Sequence, residues 1–283
     1  MIIELMRLFD RLVPDSLKFN IKELYYALEY NRLNLFREYE TFSQVEVETN
    51  AHCNNRCNTC PNTLGGKPEA YMDGELFKEL LDQLSSMGFK GRFSPVFYNE
   101  PLLDDRLVEL MRVTRERLPE AELIIYTNGS LLTQENIEDL INVGVDGIIV
   151  SQYVGNLEKD GHVRGLIDQL PEELRQHIRY RVVTDDSPLF NRGGLVEVKN
   201  PVRKRFCFKS SNDAIVDHLG NVVLCSNDYH CTNIFGNIGE EHIRDIWNRP
   251  VFREVRGRLR RGKFEESLEL CQYCTGVKQS LLG

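Results

Sequence analysis

The residues best suited to chemistry are cysteines, and they fall into two sets. Cys53, Cys57 and Cys60 form a C-x3-C-x2-C array just after an alternating run, Val45-Glu46-Val47-Glu48-Thr49, that reads as a strand. Three thiolates on a loop at a strand's end suit a four-iron cluster better than tetrahedral zinc, which asks for a fourth protein ligand nearby. Three cysteines leave one iron open to a small molecule. The alternative is a structural metal knuckle, or three unrelated core thiols. Cys207, Cys225, Cys271 and Cys274 supply four ligands, a closed site that by spacing alone admits a zinc ribbon and a second iron–sulfur cluster equally. Cys231 stands apart, as a small core residue, a hydrogen-atom donor or an alternative cluster ligand.

The elements that must position these residues are legible. From residue 45 strands and helices alternate, with candidate strands at 45–49, 93–98, 123–126, 147–150 and 179–183. Asp73 can cap a helix carrying Leu76, Leu80, Leu84 and Met87 that stops at Gly88. Thr133 can cap one carrying Ile137, Leu140 and Ile141 that stops at Gly144. Such alternation predicts an α/β fold with a parallel sheet, here a partial (β/α)6 TIM-like barrel over residues 45–199. Polar residues follow four successive strands: the cysteine triplet, Tyr98-Asn99-Glu100-Pro101, Thr127-Asn128-Gly129 and Ser151-Gln152. Each alone is ordinary loop chemistry, since Asn-Gly is a common turn. Four in register mark the strand ends where parallel sheets build their sites.

Residues 1–44 read as a helical arm. Ile2, Leu5, Met6, Phe9, Leu12 and Val13 recur at helical spacing, and Pro14 punctuates. Asn20 with Glu23 reads as a capping box opening a second helix, with Ile21, Leu24, Tyr25 and Leu28 on one face. The arm is read as packed on the main domain, with a substrate lid or a dimer contact as the sharper alternatives. Residues 200–283 read as a compact appendage. It holds a hairpin, 214–217 and 222–224, turning at Gly220-Asn221, then helical segments near 243–247 and 251–261, and the closing Cys271-x-x-Cys274.

The chain has 283 residues, of which 41% are hydrophobic, enough for a sizeable core. No uncharged apolar run approaches the roughly 18 residues of a membrane span. Charges among the first residues (Glu4, Arg7, Asp10, Arg11) are unlike a signal peptide, so eight cysteines point to a reducing, cytoplasmic setting and to metal ligation. A net charge of −8 argues against a nucleic-acid partner. The one basic region, Arg249 to Lys263, reads as the solvated face of a helix, with RNA binding as its sharper alternative.

The open-iron pattern of Cys53, Cys57 and Cys60 resembles the radical S-adenosylmethionine (SAM) superfamily, in which that iron holds the amino and carboxylate groups of SAM. Cys207, twelve residues, Gly220, four residues, Cys225 resembles the auxiliary-cluster region called SPASM, and the single closing Cys-x-x-Cys its shortened twitch form. This implies that the second set holds a second [4Fe-4S] cluster. From about residue 45 onward the chain resembles the radical SAM dehydrogenases of 2-deoxy-scyllo-inosamine type in aminoglycoside antibiotic biosynthesis. That resemblance is carried by the cluster loop, residues 97–103 and 125–129, Asn191-Arg192-Gly193-Gly194, and residues 236–240 through Asp245-Ile246-Trp247.

By position, the resemblance implies that Asn99 and Glu100 hold the SAM amino group, with Asn128, Ser151 and Gln152 near its carboxylate or ribose. Tyr98, Tyr126 and Arg192 would face an aminocyclitol or amino-sugar substrate. The implied reaction takes a hydrogen atom from a carbinol carbon, releases the hydroxyl proton and passes one electron to the auxiliary cluster, giving a ketone. An external one-electron reductant of flavodoxin or ferredoxin type would supply the first electron. Arg192, with a pKa above about 12, is a poor proton acceptor; Asp228 is the candidate base, or simply a turn residue. The runner-up is epimerisation, with Cys231 returning a hydrogen atom. Peptide modification and a redox-inert zinc-ribbon protein are the readings from other classes. Thr59 stands where the family usually has an aromatic residue, Asn99 where Gly is usual, and Asn227 where the resembled enzymes carry glutamate. Cys231 and the first 44 residues have no counterpart there.

Overall fold

Among the described residues eight strands form one sheet in the order β5-β4-β3-β2-β1-β6-β7-β8. The structure, a computed structural model, describes residues 15–153, 162–184, 190–198, 201 and 205–275. The strands are β1 (Gln44–Val47), β2 (Arg92–Ser94), β3 (Glu122–Thr127), β4 (Gly147–Tyr153), β5 (Ile178–Val183), β6 (Asp213–Val216), β7 (Asn221–Val223) and β8 (Ile234–Asn237). β1 to β6 are parallel, which is the six-stranded open barrel expected from the alternation. β7 and β8 add antiparallel to β6. Because β6 pairs along β1, from Gln44↔Asp213 to Val47↔Val216, the hairpin read as part of an appendage continues the main sheet.

Alternation on β1 decides what faces where. Val45 and Val47 are fully buried on the outer face, beneath helices, while Gln44 and Glu46 line the barrel interior. The helices α2 (Gly74–Ser86), α3 (Leu107–Arg117) and α4 (Gln134–Asn142) cover that outer face. Phe77, Leu80, Leu84, Met111, Ile137 and Leu140 join one core with Val45, Phe93, Leu123, Ile125 and Val150. Each such side chain contributes about 1.5–3 kcal/mol by leaving water. The caps read in the sequence are present: Asp73 accepts from the Glu75 and Leu76 N–H groups, and Thr133 with Asn136 forms a reciprocal capping box. β2 stops at Ser94, short of the expected Tyr98, because Pro95 has no N–H to continue the ladder. β4 runs on to Tyr153, so Ser151 and Gln152 lie within the strand.

The arm departs from expectation. One helix, α1, runs Asp15–Asn34 straight through Asn20, so no cap opens there. Asn inside a helix costs little when the chain on either side is already helical. Leu24, Tyr25 and Leu28, expected on the packed face, are 55–62% exposed. The face turned to the domain instead carries Tyr26, whose carbonyl accepts from Asn212, and Tyr30, whose ring meets Phe208 at 5.8 Å. The segment from Ile2 to Pro14 lies outside the described residues.

The C-terminal helices are α6 (Ile243–Asn248), α7 (Pro250–Arg260) and α8 (Glu269–Tyr273), following α5 (His162–Gln169) in the barrel. The basic stretch is not uniformly solvated. Arg256 is fully buried, with its guanidinium 4.0 Å above the Trp247 ring, and donates to Glu40 at 2.7 Å. Glu40 also accepts from Tyr30 and Arg260. Among the described residues no helix is long and apolar enough to cross a membrane.

Candidate active site

The loop after β1 carries Cys53, Cys57 and Cys60, all half-buried and free of disulfides. Local hydrogen bonds shape it: Arg56 donates to the Cys53 carbonyl at 2.7 Å, and the Asn55 N–H points at Cys53 Sγ at 3.4 Å. Asn128, at the end of β3, reaches across to donate to Asn54 Oδ1 at 2.8 Å. Burial pushes the Cys53 thiol up to about 11 and raises Cys60 as well. Thr59 Oγ1 and His52 Nδ1, either side of this loop, are buried without a hydrogen-bond partner. Buried polar atoms are rarely left so, which fits a bound group at this end of the sheet.

Asn99 and Glu100 are brought to the same end but face inward. Asn99 donates to Asn50 Oδ1 at 2.8 Å and accepts from the Phe97 N–H at 2.8 Å. The Glu100 carboxylate accepts from the Asn128 N–H (2.7 Å), Thr127 Oγ1 (2.7 Å) and the Leu102 N–H (3.2 Å). Burial lifts its pKa to about 7 against these three donors. This pair fixes the loop geometry around the triplet. Ser151 accepts from Arg181 of β5 at 2.8 Å, and Gln152 is buried beside it. Arg181 was not singled out in the sequence; the register Ser151↔Arg181 puts both on the interior face, a pairing that only strand order reveals.

Arg192 lies between the two cysteine sets. Its φ of 51° is in the left-handed region, and Gly193 and Gly194 beside it also have positive φ. A Cβ on Gly193 would collide with Leu270, so the glycine lets this turn close on α8. Asn191 clamps the same contact, donating to the Tyr273 carbonyl at 2.8 Å and accepting from the Thr275 N–H at 2.9 Å. The Arg192 guanidinium sits 5.6 Å from the Tyr98 ring centroid and makes a long 3.5 Å bond to Asn227 Oδ1. Its Nε is buried with no partner. Burial disfavours the charge, but Tyr98, Cys60, Tyr153 and Glu46 around it raise its pKa on balance.

Tyr126 closes the interior below, its hydroxyl accepting from Arg92 at 3.3 Å. Glu46 and Tyr153 are interior residues that sequence reasoning passed over. Burial raises the Tyr153 pKa to about 12, and it lies within electrostatic reach of Cys57 and Arg192. Glu46 accepts from Gln44 at 2.7 Å, and burial raises its pKa although Lys209 opposes. The signal for Glu46 was the alternation of β1 itself, which puts its carboxylate in the barrel. Asp228 is buried and fully engaged: its two oxygens accept from the Thr232 and Asn233 N–H groups, the Thr232 hydroxyl and the Asn233 amide. That is turn chemistry and leaves no lone pair aimed at Arg192.

The second set converges. Burial first, then the nearness of Cys271, Cys274 and Cys207, pushes the Cys225 thiol well above its usual range. A buried thiol with three other thiols near enough to oppose its ionisation fits a cationic iron–sulfur core, which would relieve that penalty. Cys231 is placed elsewhere, with Cys60 and Leu195 against a cluster of Phe97, Tyr98, Ile215, Val223 and Tyr229. Its φ is also 51°, and burial raises its thiol to about 12.

Residues 47–164 match the model of the radical SAM superfamily, and residues 207–275 that of the SPASM iron-sulfur cluster-binding domain. The chain is 40% identical over 239 residues to the S-adenosyl-L-methionine-dependent 2-deoxy-scyllo-inosamine dehydrogenase of Niallia circulans, covering 83% of this chain and 94% of that protein. A second relative is the tungsten-containing aldehyde ferredoxin oxidoreductase cofactor-modifying protein of Pyrococcus furiosus, 30% identical over 48% of this chain and 38% of its own length. The crystal structure of BtrN with AdoMet and 2-DOIA superposes with a TM-score of 0.78 at 38% identity, over 87% of this chain and 97% of that one. BtrN in an open conformation gives 0.66 at 34% identity, over 85% and 95%. With a relative matched over nearly its whole length, two matching domain models and this fold, the chain belongs to the radical SAM superfamily and carries a SPASM-type auxiliary-cluster domain.

Proposed function

We propose that this chain oxidises one hydroxyl of an aminocyclitol or amino sugar to a ketone, as a radical SAM dehydrogenase. The observation that carries the reading is Arg192, buried with an unpartnered Nε between the Cys60 side and the Cys225/Cys274 side. When bound at the two cysteine sets, [4Fe-4S] clusters supply SAM cleavage, the hydrogen-abstracting radical and a sink for one electron. The residues of the chain do the rest. Arg192 Nε donates to the substrate hydroxyl oxygen and favours the charge that builds there. Tyr98, Tyr126 and Tyr153 wall the interior and exclude water and stray hydrogen donors. Glu46, in the same interior and with a raised pKa, takes the hydroxyl proton; a carboxylate shifted toward neutrality is a better base than Asp228, whose oxygens are spent. Arg181 with Ser151 forms a donor pair suited to the SAM carboxylate. Cys53, Cys57 and Cys60 ligate the SAM-site cluster, and Cys207, Cys225, Cys271 and Cys274 the auxiliary one. A flavodoxin- or ferredoxin-type protein primes the cycle.

The test is anaerobic incubation of the iron-reconstituted chain with SAM, reductant and 2-deoxy-scyllo-inosamine. The expected result is 5′-deoxyadenosine with a product two mass units lighter. A product of unchanged mass carrying solvent deuterium would replace this reading with epimerisation.

A further inference from the structure

Asn227 is 2% exposed and touches three groups that matter at once. Its backbone N–H points at Cys225 Sγ at 3.5 Å, and its side-chain Nδ2–H at Cys274 Sγ at 3.5 Å. Its Oδ1 accepts from Arg192 Nη1 at 3.5 Å. The orientation of the amide follows from chemistry: Arg192 offers only donors, so oxygen must face it and nitrogen must face sulfur. One neutral residue thus joins the guanidinium proposed to hold the substrate oxygen to two of the four auxiliary cysteines, to Cys274 through its side chain and to Cys225 through its backbone.

We propose that Asn227 is a positioning residue that raises the reduction potential of the auxiliary cluster, so that the cluster accepts the electron released by substrate oxidation. The inference rests on the dehydrogenase reading above. N–H groups directed at ligand sulfurs stabilise the more negative, reduced cluster and move its potential upward. A carboxylate at this position would do the reverse, placing buried negative charge against the same sulfurs. It would also replace the neutral contact with Arg192 by an ion pair. Electrons balance as follows. The C–H bond breaks as a hydrogen atom leaves for the deoxyadenosyl radical, the O–H proton passes to Glu46, and one electron reduces the auxiliary [4Fe-4S]2+ to [4Fe-4S]+. The carbon–oxygen double bond would form as the carbinol radical gives up that proton and that electron.

The experiment is a potentiometric titration of the two-cluster holoenzyme followed by electron paramagnetic resonance, in wild type, Asn227→Leu and Asn227→Asp. The SAM-site centre serves as the internal reference. In Asn227→Leu the equilibrium constant for accepting an electron at the auxiliary centre falls about tenfold, or about 59 mV for one electron. Asn227→Asp falls further, and the SAM-site centre stays put in both. Unmoved auxiliary potentials in variants that retain about eight irons per chain overturn the proposal. So does loss of the auxiliary cluster from both variants, which would make Asn227 an assembly residue. Normal ketone formation with unmoved potentials rejects this inference alone. Shifted potentials in the variants, with a wild-type enzyme that makes no ketone, reject the dehydrogenase reading and leave the tuning intact.

Discussion

Tyr98 Oη donates to the carbonyl oxygen of Ser226 at 2.8 Å, tying the loop after β2 to the residue that follows Cys225. The Tyr98 ring meets Phe97 and Tyr229 edge-on at 4.7 and 4.8 Å, and burial pushes its pKa well up. The phenol is thus a neutral strut between the SAM-site half and the auxiliary half. Tyr98→Phe keeps the packing and loses one buried bond, leaving the Ser226 carbonyl short of a partner. The expected cost is about 1 kcal/mol, read as a fall of about 2–4 °C in thermal midpoint with cluster content unchanged. Tyr98→Ala opens a cavity and costs about 3–5 kcal/mol.

Cys231 packs against the same aromatic cluster. Its neighbouring charges are Lys67, Asp217, Glu48 and Asp228; Arg192 is not among the groups that shift it. Cys231→Ala therefore leaves ketone formation within about twofold of wild type, since a substitution that touches no reacting atom moves only packing. Mass spectrometry of the product with SAM and substrate checks this. Loss of turnover, or a switch in product, would restore the thiol as a hydrogen donor.

Much of this architecture was legible because it rests on local rules. The Asp73 and Thr133 caps, the β1 alternation and the cysteine spacings each follow from a few consecutive residues, and the structure contains them. What was missed depends on contacts distant in sequence. The parallel pairing of β6 with β1 joins residues about 170 positions apart, and no local pattern encodes it. The exposure of Leu24, Tyr25 and Leu28 has the same origin: α1 is turned by Tyr26, Tyr30 and the Glu40 network instead of by its most apolar stripe. Arg181 and Tyr153 become visible as site residues only once the strand order puts their faces together, whereas the alternation of β1 already turns Glu46 inward. Of the two roles the sequence offers Asp228, base or turn residue, the four donors in its own turn favour the second.

Glu46 gives the pH dependence a sign. Burial raises its pKa, so a growing fraction is protonated as pH falls, and a protonated carboxyl cannot take the hydroxyl proton. Turnover should rise with pH through that titration and then level off. Glu46→Gln should lower turnover by about a hundredfold, with SAM binding retained, and abolish the acidic limb of the profile. A profile that survives the substitution would place the base elsewhere.

Glu40 tests how the segment before β1 is held. Burial alone would raise its pKa, but the hydrogen bond and charge of Arg256, with Arg260 and Tyr30, bring it below the usual carboxylate range. A depressed carboxylate adds stability that is present above its unfolded pKa, about 4.3, and is lost as pH falls through the lower folded value. Burial also drags Arg256 down to about 10, and Glu40 is the carboxylate that opposes this, beside the neutral Trp247 carbonyl. Glu40→Ala leaves that guanidinium buried and unpaired, at a cost of about 3–5 kcal/mol. Replacing both, Glu40→Gln with Arg256→Met, removes the charge together with its counter-ion and should recover most of the loss, because a buried pair exchanged for packed neutral groups is close to neutral. Chemical denaturation of the two variants beside wild type measures the difference. If Glu40→Ala alone is as stable as wild type, Arg256 has water or another acid to turn to, and this network is not what fixes the segment before β1.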